Sequence, residues 1–443
     1  MTAILLRGGH VLDPSEGLDA KRDVLLSNGH VAAVELPGKL DAAAKKENAE
    51  VVDAASQIVA PGLVDLHVHL REPGQSYKET IASGTRAAAA GGFTSVCAMP
   101  NTIPVNDSPE ITRWMQSPDR GASVRVFPIA AATRGSLGET LTEYTALKAA
   151  GAVAVSDDGK PILQDAIMYE SLAAAARVGL TVIQHAEDTR LTQNAGMNAG
   201  ALAFRLGLRG LPALAESAIV ERDIELLARI QDSRAHLHVA HLSTAKALEA
   251  VRRAKHSGLH VTCEVAPHHF ALTEESVGDY DTHAKMNPPL RHESDRAALI
   301  EGLLDGTVDA IATDHAPHAR HEKEQEFERA PNGITGLETA LGLSLLVLHR
   351  QHGMPLARVL ALLSALPAKL LHLKGRGSLA VGSVADVVLF DANDLWKFQA
   401  KDSQSKSKNT PFDGWSFPGR IRMTISEGRM VWDARPAAPL QAV

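Results

Sequence analysis

The sequence predicts an α/β fold in which a (β/α)8 barrel of the TIM type carries a small β domain. In the middle of the chain, short apolar runs typical of strands alternate with helical patterns such as Asp165 to Val178, and this alternation indicates repeated βα units. Both ends of the chain lack helical stripes and show short strands with turn signals such as Asn28-Gly29. We therefore expect residues 61–373 to form the barrel, and residues 1–60 and 374–443 to form the β domain together.

The individual elements follow the chain in order. The first terminal segment predicts strands at Ile4 to Val11, Arg22 to Leu26 and Val31 to Leu36, then an exposed connection at Asp41 to Glu50, whose charges face no apolar stripe. The first barrel strand lies within Leu63 to Leu70, and the later ones are Thr94 to Ala98, Val124 to Ile129, Ala152 to Val155, Thr181 to Gln184, His236 to Val239, His260 to Val265 and Ala310 to Ala312. Helical patterns between them include Ser83 to Ala90 and Glu216 to Gln231. Short strands return at Ser378 to Val381, Ala385 to Phe390 and Arg420 to Ile425.

Length and composition bound the class of protein. The 443 residues are 45% hydrophobic and 22% charged, which is enough for one barrel core and a small accessory domain. A net charge of −7 and an aromatic content of 4% argue against a nucleic-acid partner. Cys97 and Cys263 lie in apolar runs, so we expect buried thiols and no disulfide framework, as is typical of the reducing cytoplasm. Because signal-peptide and membrane-spanning patterns are lacking, we expect a cytoplasmic protein without a membrane partner.

The pair His67-Val68-His69 is the first candidate for chemistry. Side chains two apart on a strand point to the same face, so both imidazoles converge on one point if Leu63 to Leu70 is extended. Such a pair is half of a metal site. Taken alone, two histidines in an apolar strand are equally compatible with hydrogen-bonded core or surface residues, and the rest of the chain has to decide.

Further metal-type ligands follow other strand-like runs. Because the C-terminal ends of barrel strands open onto one face, side chains scattered along the sequence would meet there. Imidazole nitrogens and carboxylate oxygens suit zinc or a similar divalent ion, and their number exceeds the ligands of one open tetrahedral centre. The pattern therefore predicts two metal ions bridged by a carboxylate and a water. The residues concerned are Asp157, Asp158, His185, His241 and Asp314.

Seven different motifs follow one another along the chain. They are Pro61 to Gly74, Ala98 to Asn101, Ser156 to Gly159, His185 to Glu187, His241 to Ser243, Asp314 to His318 and Gly333 to Glu338. Together they resemble the dihydroorotase family of the amidohydrolase superfamily, in its long bacterial form, over nearly the whole chain. The resemblance implies an enzyme that converts N-carbamoyl-L-aspartate and L-dihydroorotate into each other in de novo pyrimidine biosynthesis.

The resemblance also implies a ligand set. It assigns His67, His69 and Asp314 to one divalent ion, most suitably Zn²⁺, and it assigns His185 and His241 to a second. Asp158 would bridge the two ions. Many superfamily members bridge with a carbamylated lysine, but Ala152 to Val155 contains no lysine, and Lys160, beyond the Gly159 turn, is the alternative. Asp157 would then cap the loop or support the site from behind.

The mechanism implied by the resemblance uses a hydroxide bridged by the two metals, which attacks the ring amide carbonyl. Asp314 would act as general acid and base, taking the proton of the water and delivering it to the departing nitrogen. Arg71, Asn101 and His318 would bind the substrate carboxylate, and Asn287, Asn332 and Gly333 would contact the ring. Asn101 and Asn287 also adjoin prolines, so each could instead set a turn. The charged segment Ala319 to Ala330 predicts a mobile loop that closes over the substrate.

Two other functions fit part of this pattern. Another cyclic-amide hydrolase, such as a dihydropyrimidinase, hydantoinase or allantoinase, would use the same barrel, but its substrates lack the carboxylate that Arg71 and Asn101 would bind. A non-catalytic partner of aspartate carbamoyltransferase would have lost metal ligands, and here the ligand set is complete. We expect a homo-oligomer, and the resemblance leaves an association with aspartate carbamoyltransferase open.

Overall fold

A computed structural model describes residues 3–435 of the chain. Its strands, in chain order, are β1 Ile4–Asp13, β2 Leu18–Ser27, β3 His30–Glu35, β4 Glu50–Asp53, β5 Ile58–Pro61, β6 Leu63–Val68, β7 Phe93–Ala98, β8 Arg125–Ala130, β9 Ala154–Ser156, β10 Thr181–Gln184, β11 Met197–Asn198, β12 Gly210–Leu211, β13 Leu237–Val239, β14 Val261–Val265, β15 Ala310–Ile311, β16 Val387–Asp391, β17 Trp396–Lys397, β18 Ser416–Phe417, β19 Arg420–Ser426 and β20 Arg429–Asp433.

The helices mostly lie between the barrel strands. In chain order they are α1 Asp41–Lys46, α2 Ile81–Ala90, α3 Pro109–Met115, α4 Tyr144–Ala149, α5 Asp165–Val178, α6 Ala201–Leu206, α7 Ala213–Ala228, α8 Ala245–His256, α9 Pro267–Ala271, α10 Glu293–Asp305, α11 Arg320–Lys323, α12 Ala340–Ser344, which continues as a π-helical stretch over Leu345–Gln351, α13 Leu356–Leu363 and α14 Ala365–Leu370. The predicted bounds of α5 are confirmed at both ends. The helix ends at Val178 because Gly179 adopts the left-handed conformation.

Eight parallel strands form the barrel, in the order β6-β7-β8-β9-β10-β13-β14-β15. The ring closes where Val68 at the end of β6 pairs in parallel with His315, and where the His69 amide donates to the His315 carbonyl at 2.9 Å. Strands such as β7 are buried along their whole length, as expected for a sheet covered by helices. The predicted TIM-type barrel is confirmed, and the carboxyl ends of its strands share one rim.

Both terminal segments contribute to one separate sheet, which confirms the predicted small β domain. Its order is β20-β19-β16-β5-β1-β2-β3, with β4 pairing to β1. The two segments meet where β5 pairs antiparallel with β16. Its core is apolar and includes Leu6, Val24, Val59, Leu389 and Met423. The exact boundaries at residues 60 and 373 stay a prediction.

One expectation for the first segment is wrong in part. Most of Asp41 to Glu50 is exposed, as expected, but the segment is more than a connection, because α1 occupies its first half. Leu40 and Ala44 are buried and pack against Leu5 and Leu25. A few apolar contacts on one side therefore suffice to fix this short helix. A helix of six residues is too brief to show helical periodicity in the sequence.

The segment Ala319 to Ala330 is also more ordered than its charge predicted. It contains α11, and the Lys323 side chain is buried and donates to the carbonyls of Pro331 at 2.9 Å and Gly333 at 3.2 Å. Phe327 is buried, and Lys285 donates to its carbonyl at 2.6 Å. Buried side chains therefore pack this charged stretch against the barrel, and its mobility and closure over a ligand stay predictions.

Two further predictions concern cysteines and membranes. Cys97 and Cys263 are buried free thiols, as expected from their apolar surroundings. Among the helices of residues 3–435, none combines the length and apolar character needed to cross a bilayer.

Candidate metal centre and substrate cleft

Six ligand-type side chains converge at the carboxyl-end rim of the barrel. Each one lies near the carboxyl end of a barrel strand or within three residues beyond it, because that is where the chain leaves the barrel and a side chain can point over its mouth. All six are buried, with at most 6% of any residue exposed. They are the predicted ligands His67, His69, Asp158, His185, His241 and Asp314.

Asp158 lies in the middle of this group. Its Oδ1 is 3.4 Å from His67 Nε2, 3.6 Å from His185 Nδ1 and 3.7 Å from His241 Nε2, and its Oδ2 is 3.6 Å from His69 Nε2. These separations exceed hydrogen-bond lengths. They match the spacing of roughly 3.4 Å between two ligand atoms that each sit about 2.0–2.2 Å from one tetrahedral ion.

Asp314 completes the centre on the side of His69. Its Oδ1 lies 3.1 Å from His69 Nε2 and 3.6 Å from His67 Nε2. Three sets of ligand atoms each fit within 4.8 Å and could hold an ion: His67, His69 and Asp158; His67, His241 and Asp314; and Asp158, His185 and His241. The sets share members, so the six residues form one cluster rather than separate sites.

The buried polar atoms of the cluster test whether a cation fits. His67 Nε2 and Asp158 Oδ1, which face each other at 3.4 Å, find no hydrogen-bond partner within residues 3–435. A buried polar atom left without a partner costs about 1–3 kcal/mol. A divalent ion among these lone pairs would satisfy them, and imidazole and carboxylate are ligands that zinc accepts. The residues present therefore fit a metal-binding centre.

Three supporting side chains fix which nitrogen faces the centre in three of its four histidines. A carbonyl or carboxylate oxygen can only accept a hydrogen bond. The imidazole nitrogen that contacts such an oxygen therefore carries the proton, and the other nitrogen of the ring offers a lone pair to the centre. The pairs are His67 Nδ1 with Glu264 Oε1 at 2.9 Å, His69 Nδ1 with Asn101 Oδ1 at 2.9 Å, and His185 Nε2 with Glu187 Oε2 at 3.0 Å. Neither Glu264 nor Glu187 was predicted to have a role.

The adjacent carboxylates Asp157 and Asp158 point in different directions. Asp157 accepts from the Thr133 amide at 2.9 Å and from the Thr133 hydroxyl, so it holds a neighbouring loop. Asp158 points into the centre, as adjacent residues at a strand end should when one faces inward. Lys160, the alternative bridging residue, is exposed.

Electrostatics keep both central carboxylates ionised. Burial raises the pKa of Asp158 and Asp314, but the surrounding histidines together, through charge when protonated and through hydrogen bonds, outweigh burial, and the pKa of each falls below its usual range. For His67, burial lowers the pKa, whereas Asp158 and Asp314 raise it well above the ordinary value. The centre thus carries anionic oxygens and attracts positive charge.

A cationic corner borders the centre. The Arg71 guanidinium is buried, donates to the Pro317 carbonyl at 3.1 Å and lies 3.3 Å from His318 Nε2. Burial lowers the pKa of Arg71 to about 10, so it stays charged at neutral pH. Burial, followed by the charges of Arg71 and Lys78, lowers the pKa of His318 to about 2, so His318 is a neutral hydrogen-bonding group.

Lys78 was not predicted and supports this corner from behind. Its Nζ lies 3.4 Å from His318 Nδ1 and 3.0 Å from Glu322. Glu322 belongs to α11, in the segment that follows His318. One lysine therefore ties a predicted substrate residue to the proposed lid.

The remaining predicted substrate residues surround a cleft of about 400 Å³ above the cluster. Asn101 lines it but also donates to Asp158 Oδ2 at 3.0 Å, and Asn287 lines it and donates to Glu187 at 2.8 Å. Asn332 lines it as well. Their roles toward substrate stay predictions. The cleft lining comprises His69, Arg71, Asn101, Asp158, Gly159, His185, His241, Met286, Asn287, Asp314, Ala316, His318, Pro331 and Asn332.

Gly333 lies behind this wall and has its polar groups occupied. Its amide donates to the Lys285 carbonyl at 3.0 Å, and its carbonyl accepts from Asn409 Nδ2 at 2.9 Å. A Cβ at Gly333, whose φ is 153°, would lie 2.5 Å from the Ala316 carbonyl oxygen and 2.7 Å from His318 Cδ2. Glycine is therefore required for the close approach to His318, and its predicted ring contact stays a prediction.

Asn409 reaches this wall from the second terminal segment. Its side chain accepts from the His318 amide at 2.9 Å and donates to the carbonyls of Ala316 at 3.0 Å and Gly333 at 2.9 Å. Four backbone groups around the cleft, counting the Thr335 amide that donates to the Asn409 carbonyl at 2.8 Å, depend on this one residue. No pattern in the sequence predicts a role for Asn409.

Backbone strain marks three of the predicted site residues. Arg71, His241 and Asp314 have φ values of 60°, 30° and 45°, in or near the left-handed region that L-residues avoid. Each sits where the chain turns away from a barrel strand. Strain of this kind persists where the surrounding structure over-determines a conformation, and it is typical of functional sites.

Signals for the unpredicted residues differ in strength. Glu187 lies two residues after His185, within the motif His185 to Glu187. Glu264 interrupts the apolar strand Val261–Val265, and a charged residue in a predicted core strand indicates a functional or paired group. Lys78 and Asn409 lie in irregular segments, where no periodicity distinguishes them from surface residues.

The fold and this cluster define a (β/α)8 barrel with a histidine- and carboxylate-lined metal-binding centre at its carboxyl-end rim. Residues 56–247 match the protein family described as Dihydro-orotase-like. Full-length relatives carry the name dihydroorotase. That of Citrifermentans bemidjiense is 48% identical over 432 residues, covering 97% of this chain and 100% of the relative. That of Geobacter metallireducens is 48% identical, with 97% and 99% covered. The chain therefore belongs to the dihydroorotase family.

Solved structures resemble the chain in fold. The L-hydantoinase (dihydropyrimidinase) from Arthrobacter aurescens has a TM-score of 0.85 at 24% identity, covering 99% of this chain and 98% of that one. The dihydropyrimidinase from Brevibacillus agri has a TM-score of 0.83 at 23% identity, with 98% and 95% covered. At this identity the likeness concerns the architecture, a barrel with an attached β domain.

Proposed function

We propose that the protein is a dihydroorotase, a metal-dependent cyclic amidohydrolase that interconverts N-carbamoyl-L-aspartate and L-dihydroorotate in pyrimidine biosynthesis. The observation that carries this proposal is the pairing of a complete ligand cluster with a buried arginine at the edge of the same cleft. The identity of nearly half the residues to relatives named dihydroorotase supports it.

We further propose that the cluster holds two divalent ions, most suitably zinc. His67, His69 and Asp314 would hold one ion, His185 and His241 the other, and Asp158 would bridge them. Two bound divalent ions supply Lewis-acid chemistry, which acidifies a water and polarises a carbonyl group.

Asp314 carries the proton in this proposal. Its carboxylate lines the cleft and stays ionised, so in the hydrolytic direction it accepts a proton from the attacking water and delivers it to the departing ring nitrogen. In the cyclising direction it removes the proton from the ureido nitrogen. One carboxylate serves both directions by microscopic reversibility.

Arg71 and His318 bind and orient the substrate carboxylate. A planar guanidinium matches a carboxylate with two parallel hydrogen bonds, and the neutral His318 lies beside it without adding charge. Asn101 would bind the same carboxylate, and Asn287 with the backbone of Asn332 and Gly333 would contact the ring. The buried walls exclude bulk water, which strengthens these polar interactions.

The test combines metal removal with a choice of substrates. Purified protein should lose hydrolysis of dihydroorotate when a chelator removes its metal and regain it with zinc. Uncharged dihydrouracil, which lacks the carboxylate for Arg71, should be turned over far more slowly. Full zinc loading without turnover of dihydroorotate would contradict the proposal and favour a scaffold role, and faster turnover of dihydrouracil would favour a dihydropyrimidinase.

The association state belongs to the same proposal. We propose a homo-oligomer that also allows association with aspartate carbamoyltransferase. Light scattering of the purified protein, alone and mixed with that enzyme, measures both. A mass of about 47 kDa for the protein alone would contradict the homo-oligomer, and a mixture with no species heavier than its separate components would contradict the association.

A further inference from the structure

A line of polar side chains, all buried except the half-buried Thr262, runs inside the barrel beneath the candidate metal centre. Its upper member is Glu264 on β14, only 1% exposed. The Glu264 carboxylate lies 2.9 Å from His67 Nδ1 and 3.2 Å from His238 Nε2. Barrel interiors are usually filled by branched apolar side chains, and neither substrate binding nor proton transfer requires this carboxylate.

The line continues away from the centre through four hydrogen-bonding groups. The Thr262 hydroxyl lies 2.8 Å from His238 Nδ1 and 2.7 Å from His236 Nε2. His236 Nδ1 lies 2.9 Å from the Thr181 hydroxyl. Thr262 and Glu264 are two apart on β14, so they share the inward face.

The proton positions along this line follow from counting donors and acceptors. Glu264 only accepts, so His238 donates to it from Nε2, and the neutral ring then accepts at Nδ1 from the Thr262 hydroxyl. Because the Thr262 hydroxyl donates its single proton to His238, its oxygen accepts a hydrogen bond from His236 Nε2. His236 Nδ1 in turn accepts a hydrogen bond from the Thr181 hydroxyl. Every donor in the line therefore points toward Glu264, an arrangement in which each bond polarises the next.

We infer that Glu264 is a positioning residue for the metal ligand His67, and that the line Thr181–His236–Thr262–His238 holds its carboxylate in place. The inference rests on the proposed metal-binding function. By accepting a hydrogen bond from His67 Nδ1–H, Glu264 turns the Nε2 lone pair of His67 toward Asp158. That Nε2 is one of the buried atoms that find no hydrogen-bond partner in residues 3–435.

Such support has a measurable effect on metal binding. Removal of a carboxylate that accepts from a ligating imidazole typically weakens metal affinity by about 10–100-fold. The line also explains why polar residues occupy a barrel interior: each buried histidine and threonine hydroxyl is satisfied only if the whole line is present.

The first test reads the tautomers directly. In zinc-loaded protein labelled with ¹⁵N-histidine, NMR should show His236 and His238 protonated at Nε2 alone, with signals assigned by single substitutions. Protonation of His238 at Nδ1 would reverse the direction of the line and overturn the inference. A role limited to packing predicts no particular tautomer.

The second test measures zinc affinity by competition with a chelator. Glu264→Gln keeps the shape but has one acceptor oxygen for two imidazole N–H groups, so zinc should bind about 10–100-fold more weakly. Glu274→Gln is the matched control, because Glu274 is another buried carboxylate but binds Asn198, outside the cluster. Wild-type affinity in Glu264→Gln would overturn the inference.

A second variant covers the case in which Glu264→Gln does not fold. Thr262→Val breaks the line and leaves Glu264 in place, so His238 should lose its single tautomer and zinc should bind about tenfold more weakly, the low end of such effects. Unchanged tautomer and affinity would overturn the inference. Zinc affinity needs no substrate, so a protein that binds zinc tightly without turning over dihydroorotate would contradict only the proposed function.

Discussion

The terminal β domain and the rim of the barrel are equally buried but filled with opposite kinds of side chain. Val24, Val59 and Leu389 in the sheet are fully buried, and so is His67 in the barrel, with Asp314 only 3% exposed. Burial of the apolar side chains stabilises the fold by about 25 cal/mol per Å². Burial of the charged groups costs free energy unless partners satisfy them.

This difference predicts that substitutions in the two regions affect different properties of the protein. Substitutions in the sheet should change the free energy of unfolding and leave the metal centre intact. Substitutions at the rim should change metal content or catalysis and leave the fold intact. Variants in each region can break or sharpen this division.

The largest effect is expected for Asp158→Ala. Loss of the central carboxylate should release at least one of two metal ions and lower kcat/KM by about 10³-fold or more, because the metals supply several kcal/mol of transition-state stabilisation. Asp157→Ala should keep both ions, since Asp157 binds Thr133 instead. Metal analysis and a dihydroorotate assay measure the effect. Loss of metal from Asp157→Ala instead would show that Asp157, not Asp158, is the bridging residue.

Next in size is Leu389→Ala in the core of the sheet. The free energy of unfolding should fall by about 2–5 kcal/mol, the cost of deleting a buried leucine side chain, with zinc content unchanged. Leu395→Ala, at a position 62% exposed, is the control and should change stability by less than about 0.5 kcal/mol. Denaturant unfolding measures both. A loss of zinc in folded Leu389→Ala would show that the two regions are not separable.

Arg71→Lys should mainly weaken substrate binding. Lysine keeps the charge but loses the planar fork, so KM should rise by about 10–100-fold with a smaller change in kcat and full metal content. Arg86→Lys, on the exposed side of α2, should leave KM as it is. Steady-state kinetics would exclude a substrate role for Arg71 if KM stayed constant.

The smallest effect is expected in the segment Ala319 to Ala330. Arg320 and Arg329 have side chains 88% and 75% exposed, whereas Lys323 is buried, so trypsin should cleave at the two arginines first. If the segment closes over ligand, dihydroorotate should slow this cleavage by about tenfold, or about 1.4 kcal/mol of added local stability. Equal rates with and without ligand would show a surface loop rather than a lid.

The sequence was most informative where local pattern and chemistry coincide. The helix Asp165–Val178 and the strand Thr181–Gln184 were predicted at their observed bounds, since apolar periodicity and Gly179 mark them. The ligand-type residues could be predicted because each follows an apolar strand, and strand ends of a barrel meet.

The supporting residues could not be predicted because their partners are distant along the chain. Glu264 lies 197 residues from His67, and Asn409 lies 91 residues from His318. Only the closed barrel and the packed terminal segment bring these pairs together. The short helix α1 was missed for the opposite reason, since one turn offers too few positions for a periodic pattern.

The contacts of Asn409 have a consequence for biosynthesis of the protein. A ribosome makes every strand of the barrel, from β6 to β15, before it reaches residue 409. Until then the backbone around Ala316, His318 and Gly333 lacks the side chain that ties it together. The nascent chain can therefore assemble its barrel and gather its ligands early, yet it acquires a finished substrate wall only when Asn409 emerges, so a chain interrupted before that point leaves a barrel with an unfinished cleft.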